Sequence, residues 1–222
     1  MYAICGIGNW GHKLLQEFSK TQNIKYFCCK SLETAELVNK NFPNLERASI
    51  EQICKDDLIT DVVVSVPIDC LGEFASKLLT SKKNIFLEKP GSKSLKEIES
   101  LKSLSSDSFV QVNYKFLFHE EILQLKKEVE SGKKISRFNI DWTKYGSFGN
   151  DIRLNLLCHP LSILEFIFPK EKFFMEYSFN QKDYLLVQCY SSSIRGKIRI
   201  CRKSIERKFI LNIEYSDKTI KS

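Results

Sequence analysis

Over the first half of the chain, short apolar runs alternate with amphipathic stretches. Strand-like runs lie at residues 2–5, 24–29, 61–66, 84–87 and 109–114. Between them, residues 13–19 carry Leu14, Leu15 and Phe18 on one side, and residues 34–42 carry Ala35, Leu37, Val38 and Phe42. Residues 71–79 and 95–104 also have helical spacing. Ser49-x-x-Gln52 and Ser94-x-x-Glu97 read as capping boxes. Val62-Val63-Val64 is apolar on both faces, as a buried parallel strand requires. Alternating strands and helices predict a doubly wound α/β domain over residues 1–114.

Beyond Tyr114 the texture changes. Residues 119–130 form one more amphipathic helix, with Ile122, Leu125 and Val129 in register. Strand character follows at 135–142, 173–179, 184–190, 194–201 and 209–215, interrupted by a strongly apolar segment, 154–168, that reads as a buried helix. Strands joined by short connections predict a mainly antiparallel open sheet, so residues 115–222 read as a second, reduced α+β domain.

Composition narrows the class without changing this picture. The 222 residues are 43% hydrophobic and 27% charged, an ordinary globular balance. No apolar run reaches the roughly 18–20 residues of a membrane helix, and residues 1–5 read as a first strand and not a signal peptide. The eight cysteines include no C-x-x-C pair and read as reduced thiols of a cytoplasmic protein. With only His12, His119 and His159 to help them, no metal site is expected. The net charge of +7 fits either an anionic ligand or simple solubility.

Gly6-Ile7-Gly8-Asn9-Trp10-Gly11 sits between the first strand and the first helix, with a further strand about twenty residues on. That is the setting of a dinucleotide-binding turn. Gly6 permits the tight turn, Gly8 lets the backbone approach the pyrophosphate, and Gly11 packs helix on strand. The helix start, with Asn9 and Trp10, then faces the phosphates. At the end of the second strand stands Cys28-Cys29-Lys30-Ser31, with no acid until Glu33. Lys30 and Ser31 suit a 2′-phosphate, so NADP is the expected cofactor; if Lys30 is a solvated turn residue, NAD is used. Pro67 lies either against the cofactor ribose or simply at a helix start. Glu88-Lys89-Pro90 ends another buried strand, where open α/β sheets bind their ligands.

Three segments together carry a resemblance: Gly6–Gly11, Asp61-Val62-Val63-Val64-Ser65-Val66-Pro67, and Asn84-Ile85-Phe86-Leu87-Glu88-Lys89-Pro90. They resemble the glucose–fructose oxidoreductase / inositol dehydrogenase (Gfo/Idh/MocA) superfamily. Val112-Asn113-Tyr114-Lys115-Phe116 is similar to its domain-joining segment. The resemblance implies a Rossmann domain followed by a domain whose open sheet makes a homo-oligomer. It implies an NAD(P)-dependent oxidoreductase interconverting a hydroxyl and a ketone on a sugar or nucleotide sugar. By resemblance, Lys89 contacts both substrate and nicotinamide, Glu88 fixes that strand end, and the bond before Pro90 is cis. Asn113 and Tyr114 would contact the substrate.

Many members carry an Asp and a His one helical turn apart; the matching positions here are Asn155 and His159. His159 is then either a general base assisted by Lys89 or a packed histidine in an apolar helix. Asn155 cannot bear the charge of an Asp, and Pro160 must bend or start a helix there. Typical members are longer, which implies a more open pocket or one completed by another subunit. These departures keep a second reading in play, a non-catalytic dinucleotide-binding sensor or scaffold. Tyr145-Gly146-Ser147-Phe148-Gly149 reads either as a loop over the site or as a plain connection.

Ile194-Arg195-Gly196-Lys197-Ile198-Arg199-Ile200 alternates apolar and basic, and Arg202, Lys203, Arg207 and Lys208 extend the charge. That face is solvated, an oligomer contact, or a seat for a phosphorylated sugar. No nucleic-acid module accompanies it, so a nucleic-acid partner is not expected.

Overall fold

The apolar runs of the first half become the strands of one parallel sheet. They are β1 (Tyr2–Cys5), β2 (Ile24–Cys28), β3 (Glu46–Arg47), β4 (Asp61–Val64), β5 (Asn84–Glu88) and β6 (Val110–Asn113). The computed structural model describes residues 1–216, and the chain divides after Asn113 into two units. In the first unit the strand order is β3-β2-β1-β4-β5-β6, with every pairing parallel. The order reverses between β1 and β4, the switch point at which such sheets open a ligand crevice beyond their carboxyl ends.

Five helices cover this sheet: α1 (Asn9–Phe18), α2 (Leu32–Asn41), α3 (Ile50–Lys55), α4 (Ile68–Thr80) and α5 (Leu95–Leu104). The pleat sends alternate residues to opposite faces. Ala3, Cys5, Val62 and Val64 pack with Leu71 and Leu78 on one face, while Ile4 and Val63 pack with Leu15, Phe27 and Val38 on the other. Ser49 completes the expected capping box with Gln52. Ser94 accepts from the Glu97 amide, but the Glu97 carboxylate turns to the Ser92 hydroxyl instead of closing the box. Strand β3 has no apolar signature, because both its residues are exposed.

The second unit begins with a 3-10 turn at Lys115–Phe118 and α6 (Glu120–Glu130). Its sheet comprises β7 (Ile135–Tyr145), β8 (Phe174–Gln181), β9 (Tyr184–Tyr190), β10 (Arg195–Cys201) and β11 (Lys203–Tyr215), in the order β11-β7-β10-β9-β8. The β10–β7 pair is parallel and the other pairings are antiparallel. Phe138, Ile140, Leu185, Val187, Ile198 and Ile200 form the inner face, packed with Ile163, Leu164 and Ile167.

Those last three residues belong to α7 (Cys158–Ile167), which follows a π-turn at Arg153–Leu157. The expected single buried helix is therefore wound in two ways. Pro160 has no amide to give the Leu156 carbonyl, and its ring would crowd that carbonyl in a regular helix. A wider turn just before the proline accommodates both facts.

The cationic strand also separates into parts. Arg195 and Lys197 are exposed, and Arg199 pairs with Asp141 on the neighbouring strand. Arg202 does not extend the surface charge. It is 1% exposed, donating to Asp183 at 2.8 Å and to the carbonyls of Ser147 and Asn150 at 2.7 Å. The break between β10 and β11 turns it inward, where it holds the 147–150 loop. Among the described residues, no helix is long and apolar enough to cross a membrane.

Candidate active site

The carboxyl edge of the first sheet gathers the chemistry. Cys5 leads directly into Gly6, whose φ of +89° is open only to glycine at low cost. A side chain there would strike the Ser65 carbonyl at 2.4 Å, and one at Gly11 would strike the Gly6 carbonyl at 1.9 Å. At Gly8 the situation is reversed, with nothing within 4 Å of an added Cβ. Gly8 caps α1 without any side-chain hydrogen bond, and no acid lies in the first turn.

Gly8, Asn9 and Trp10 are exposed. The start of α1 is thus open at Gly8, and its own first turn carries no negative charge. A pyrophosphate fits this arrangement, since a helix start offers anions both N–H donors and the positive end of the dipole.

Beside this turn lies the end of β2. The Gly6 amide donates to the Cys28 carbonyl at 2.8 Å, tying the two strand ends together. Lys30 is exposed, and Ser31 caps α2 by accepting from the Thr34 amide. Arg47, from β3, donates to the carbonyls of Cys29 and Lys30 at 3.0 and 3.2 Å. Sequence reasoning missed this guanidinium. It lies on a two-residue edge strand whose only signal is that a parallel neighbour must follow β2. Pro67 caps α4 and is exposed at the end of β4.

On the other side of the switch point, Glu88 ends β5 and is 8% exposed. It accepts from Trp10 Nε1 at 2.5 Å and from Asn113 Nδ2 at 2.6 Å. One carboxylate therefore joins the glycine turn, the end of β5 and the end of β6. Burial pushes its pKa up, while the donors from Asn113 and Trp10 and the neighbouring Lys89 oppose that shift. Lys89 follows immediately, and the Lys89–Pro90 peptide is cis.

The second unit holds Tyr114, Asn155 and His159. His159 is 5% exposed and meets Phe116, Trp142 and Tyr114 edge-on, at centroid distances of 5.1, 5.4 and 6.2 Å. Burial pushes the Tyr114 phenol to about 12, with Cys158 adding a smaller upward push. It therefore stays protonated at neutral pH and can donate a hydrogen bond. Asn155 lies in the π-turn and is half-buried. Among the described residues, no group of three or more His, Cys, Asp or Glu side chains could hold a metal ion.

The chain is similar in fold to several solved oxidoreductase structures. Myo-inositol 2-dehydrogenase from Lactobacillus plantarum superposes with a TM-score of 0.86 at 13% identity, over 97% of this chain and 74% of that one. Myo-inositol dehydrogenase from Lactobacillus casei, solved with NAD(H) and myo-inositol, gives 0.85 at 14% identity, over 96% and 71%. For yvaA from Bacillus subtilis the values are 0.84 and 18%, over 97% and 68%. No curated protein matches the sequence significantly. Residues 1–116 match the family model described as an oxidoreductase family with an NAD-binding Rossmann fold. With that match over more than half of its length, and with the glycine turn and strand order that go with it, the chain belongs to the Gfo/Idh/MocA family of NAD-binding oxidoreductases.

Proposed function

We propose that this protein interconverts a hydroxyl and a ketone on a carbohydrate, a sugar or nucleotide sugar, with NADP(H) preferred and NAD(H) usable. The observation that carries the reading is the shared sheet edge. The open Gly8 turn and the Lys89 strand end flank one switch point and are tied together by Glu88, through its bond from Trp10. Preference for the 2′-phosphorylated dinucleotide is supported at the end of β2, where Lys30, the Ser31 hydroxyl and Arg47 lie beyond the strand.

When bound, the nicotinamide supplies hydride transfer; the protein supplies binding, orientation and the proton. Asn9, Trp10 and Gly8 seat the phosphates. Lys89 carries an ammonium that hydrogen-bonds the reacting oxygen and offers it a proton. By family resemblance, His159 is assigned as a base, and Asn113, Asn155 and Tyr114, the last held protonated, as groups that hydrogen-bond the substrate. General acid–base assistance of this kind contributes about 10²- to 10⁴-fold.

In keeping with the family's open sheet, the outer face of the β7–β11 sheet is assigned to a homo-oligomer contact. Phe174, Met175, Tyr177 and Phe179 are exposed on its edge strand β8.

A second reading has its own support. The aromatic ring contacts of His159 and the neutral Asn155 suit a dinucleotide sensor that no longer turns over substrate. Steady-state oxidation of NADPH with a panel of keto-sugars and keto-inositols separates the two. The enzyme reading expects turnover that falls at least about 100-fold in Lys89→Ala, with NADPH affinity retained. Tight NADPH binding with no lysine-dependent turnover on any substrate would favour the sensor.

A further inference from the structure

The cysteines at the ends of β1 and β2 take no part in the chemistry above. Cys5 and Cys28 are direct partners in the parallel register. Neighbouring strands lie about 4.8 Å apart, inside the Cα separation a disulfide spans. In-register parallel partners point to the same face, and both thiols pack against the same core cluster as Cys54. Cys29, one residue on, faces the opposite cluster. Cys28 is partly exposed, whereas Cys5 is 0% exposed. One residue of the pair is thus in part open to solvent and the other is fully sheltered.

We infer that Cys28 is a reversible oxidation site, that Cys5 is its resolving thiol, and that a hydroperoxide acting there weakens dinucleotide binding. The surroundings of Cys28 favour its thiolate. The Cys5 thiol donates to it, and Arg47 and the Ile50 amide lower its pKa further against burial and Glu51, leaving it at about 7. Cys5 is shifted well upward by the same pairing and by burial. Burial raises Cys29, and the Cys54 thiol donates to the Lys77 carbonyl. Thiolate character, more than exposure alone, decides which cysteine reacts first.

In the first step the Cys28 thiolate attacks one oxygen of the hydroperoxide. An S–O bond forms and the O–O bond breaks. The sulfur is oxidised by two electrons, and the leaving oxygen departs as an alcohol or water after taking a proton. In the second step Cys5 sulfur attacks Cys28 sulfur as the Cys5 proton moves to the departing hydroxyl. The S–S bond forms and water leaves. A dithiol reductant returns both thiols by exchange.

The bond would act on the cofactor turn directly. Side chains on parallel neighbours stand about as far apart as their strands, wider than the roughly 3.8 Å between disulfide Cβ atoms. Closing that gap draws the ends of β1 and β2 together. Gly6 begins at that end, donates to the Cys28 carbonyl and has no slack against Ser65.

The inference rests on the dinucleotide site and not on the carbohydrate reading, so loss of the latter leaves it standing. The test treats the reduced full chain with hydrogen peroxide, with and without saturating NADPH, and maps the cysteines by peptide mass spectrometry. NADPH is titrated before treatment, after it, and after dithiothreitol. The expected result is a Cys5–Cys28 crosslink slowed by NADPH, an affinity loss of at least ten-fold, and recovery on reduction. Cys5→Ala should stop at a sulfenic acid on Cys28, trapped by dimedone, and Cys28→Ala should lose the affinity response. First oxidation at another cysteine of the wild type would overturn the inference whether or not the variants fold. So would a Cys5–Cys28 crosslink with unchanged NADPH affinity.

Discussion

The glycines of the first turn make different demands on the fold. Gly6 and Gly11 are required by the protein itself, since added methyls would meet carbonyl oxygens at 2.4 and 1.9 Å. Gly8 faces open space, and the packing around it does not demand a glycine. Gly6→Ala should therefore lose stability, by about 1–3 kcal/mol from backbone strain alone, whereas Gly8→Ala should keep its urea midpoint and lose about ten-fold or more in NADPH affinity by calorimetric titration. Equal binding by Gly8→Ala would remove the turn from the cofactor site.

Glu88 makes a second prediction. Burial raises its folded pKa, so it favours the folded state when protonated and costs stability as pH rises through that pKa. Glu88→Gln keeps an acceptor for Trp10 and Asn113 without the buried charge. It should melt higher than wild type at neutral pH, with the difference shrinking as pH falls.

At the scale of elements, the strands and long helices were legible because their apolar periods are strong. Val62-Val63-Val64 could only be a strand covered on both faces, and 95–104 matches α5 (Leu95–Leu104) at both ends. Helix α1 begins at Asn9, four residues before its periodicity does, because Asn9 and Trp10 in its first turn are exposed and add nothing to the apolar face. The π-turn at Arg153–Leu157 was not legible, although its cause, Pro160, was. Arg202 was misread as surface charge because a strand break reverses facing, and period-two counting cannot see a break. Arg202→Met would leave Asp183 with only Lys203 and strand two carbonyls. Loss of the donor to those carbonyls should lower the urea midpoint of the second unit by more than a surface substitution does.

Across the whole molecule, the features proposed for dinucleotide binding are the ones that local spacing places. Glycines, a strand-end lysine and capping residues sit close to one another in sequence, and local spacing encodes their geometry. Arg47 escaped because only strand order brings it beside Lys30. The ring contacts of His159 escaped because Phe116 and Trp142 come from separate elements. The proposed proton-handling roles of His159 and Lys89 both rest on resemblance, with Lys89 standing at the carboxyl end of β5.

Hydride exchange with a carbohydrate carbon is read most directly by isotope transfer. Wild-type protein is incubated with NADPH deuterated at the transferring position and a panel of keto-sugars and keto-inositols, and the products are analysed by mass spectrometry. One deuterium should appear on the new carbinol carbon of at least one carbohydrate, with transfer lost in Lys89→Ala. Saturating NADPH binding with no deuterium in any carbohydrate would contradict it.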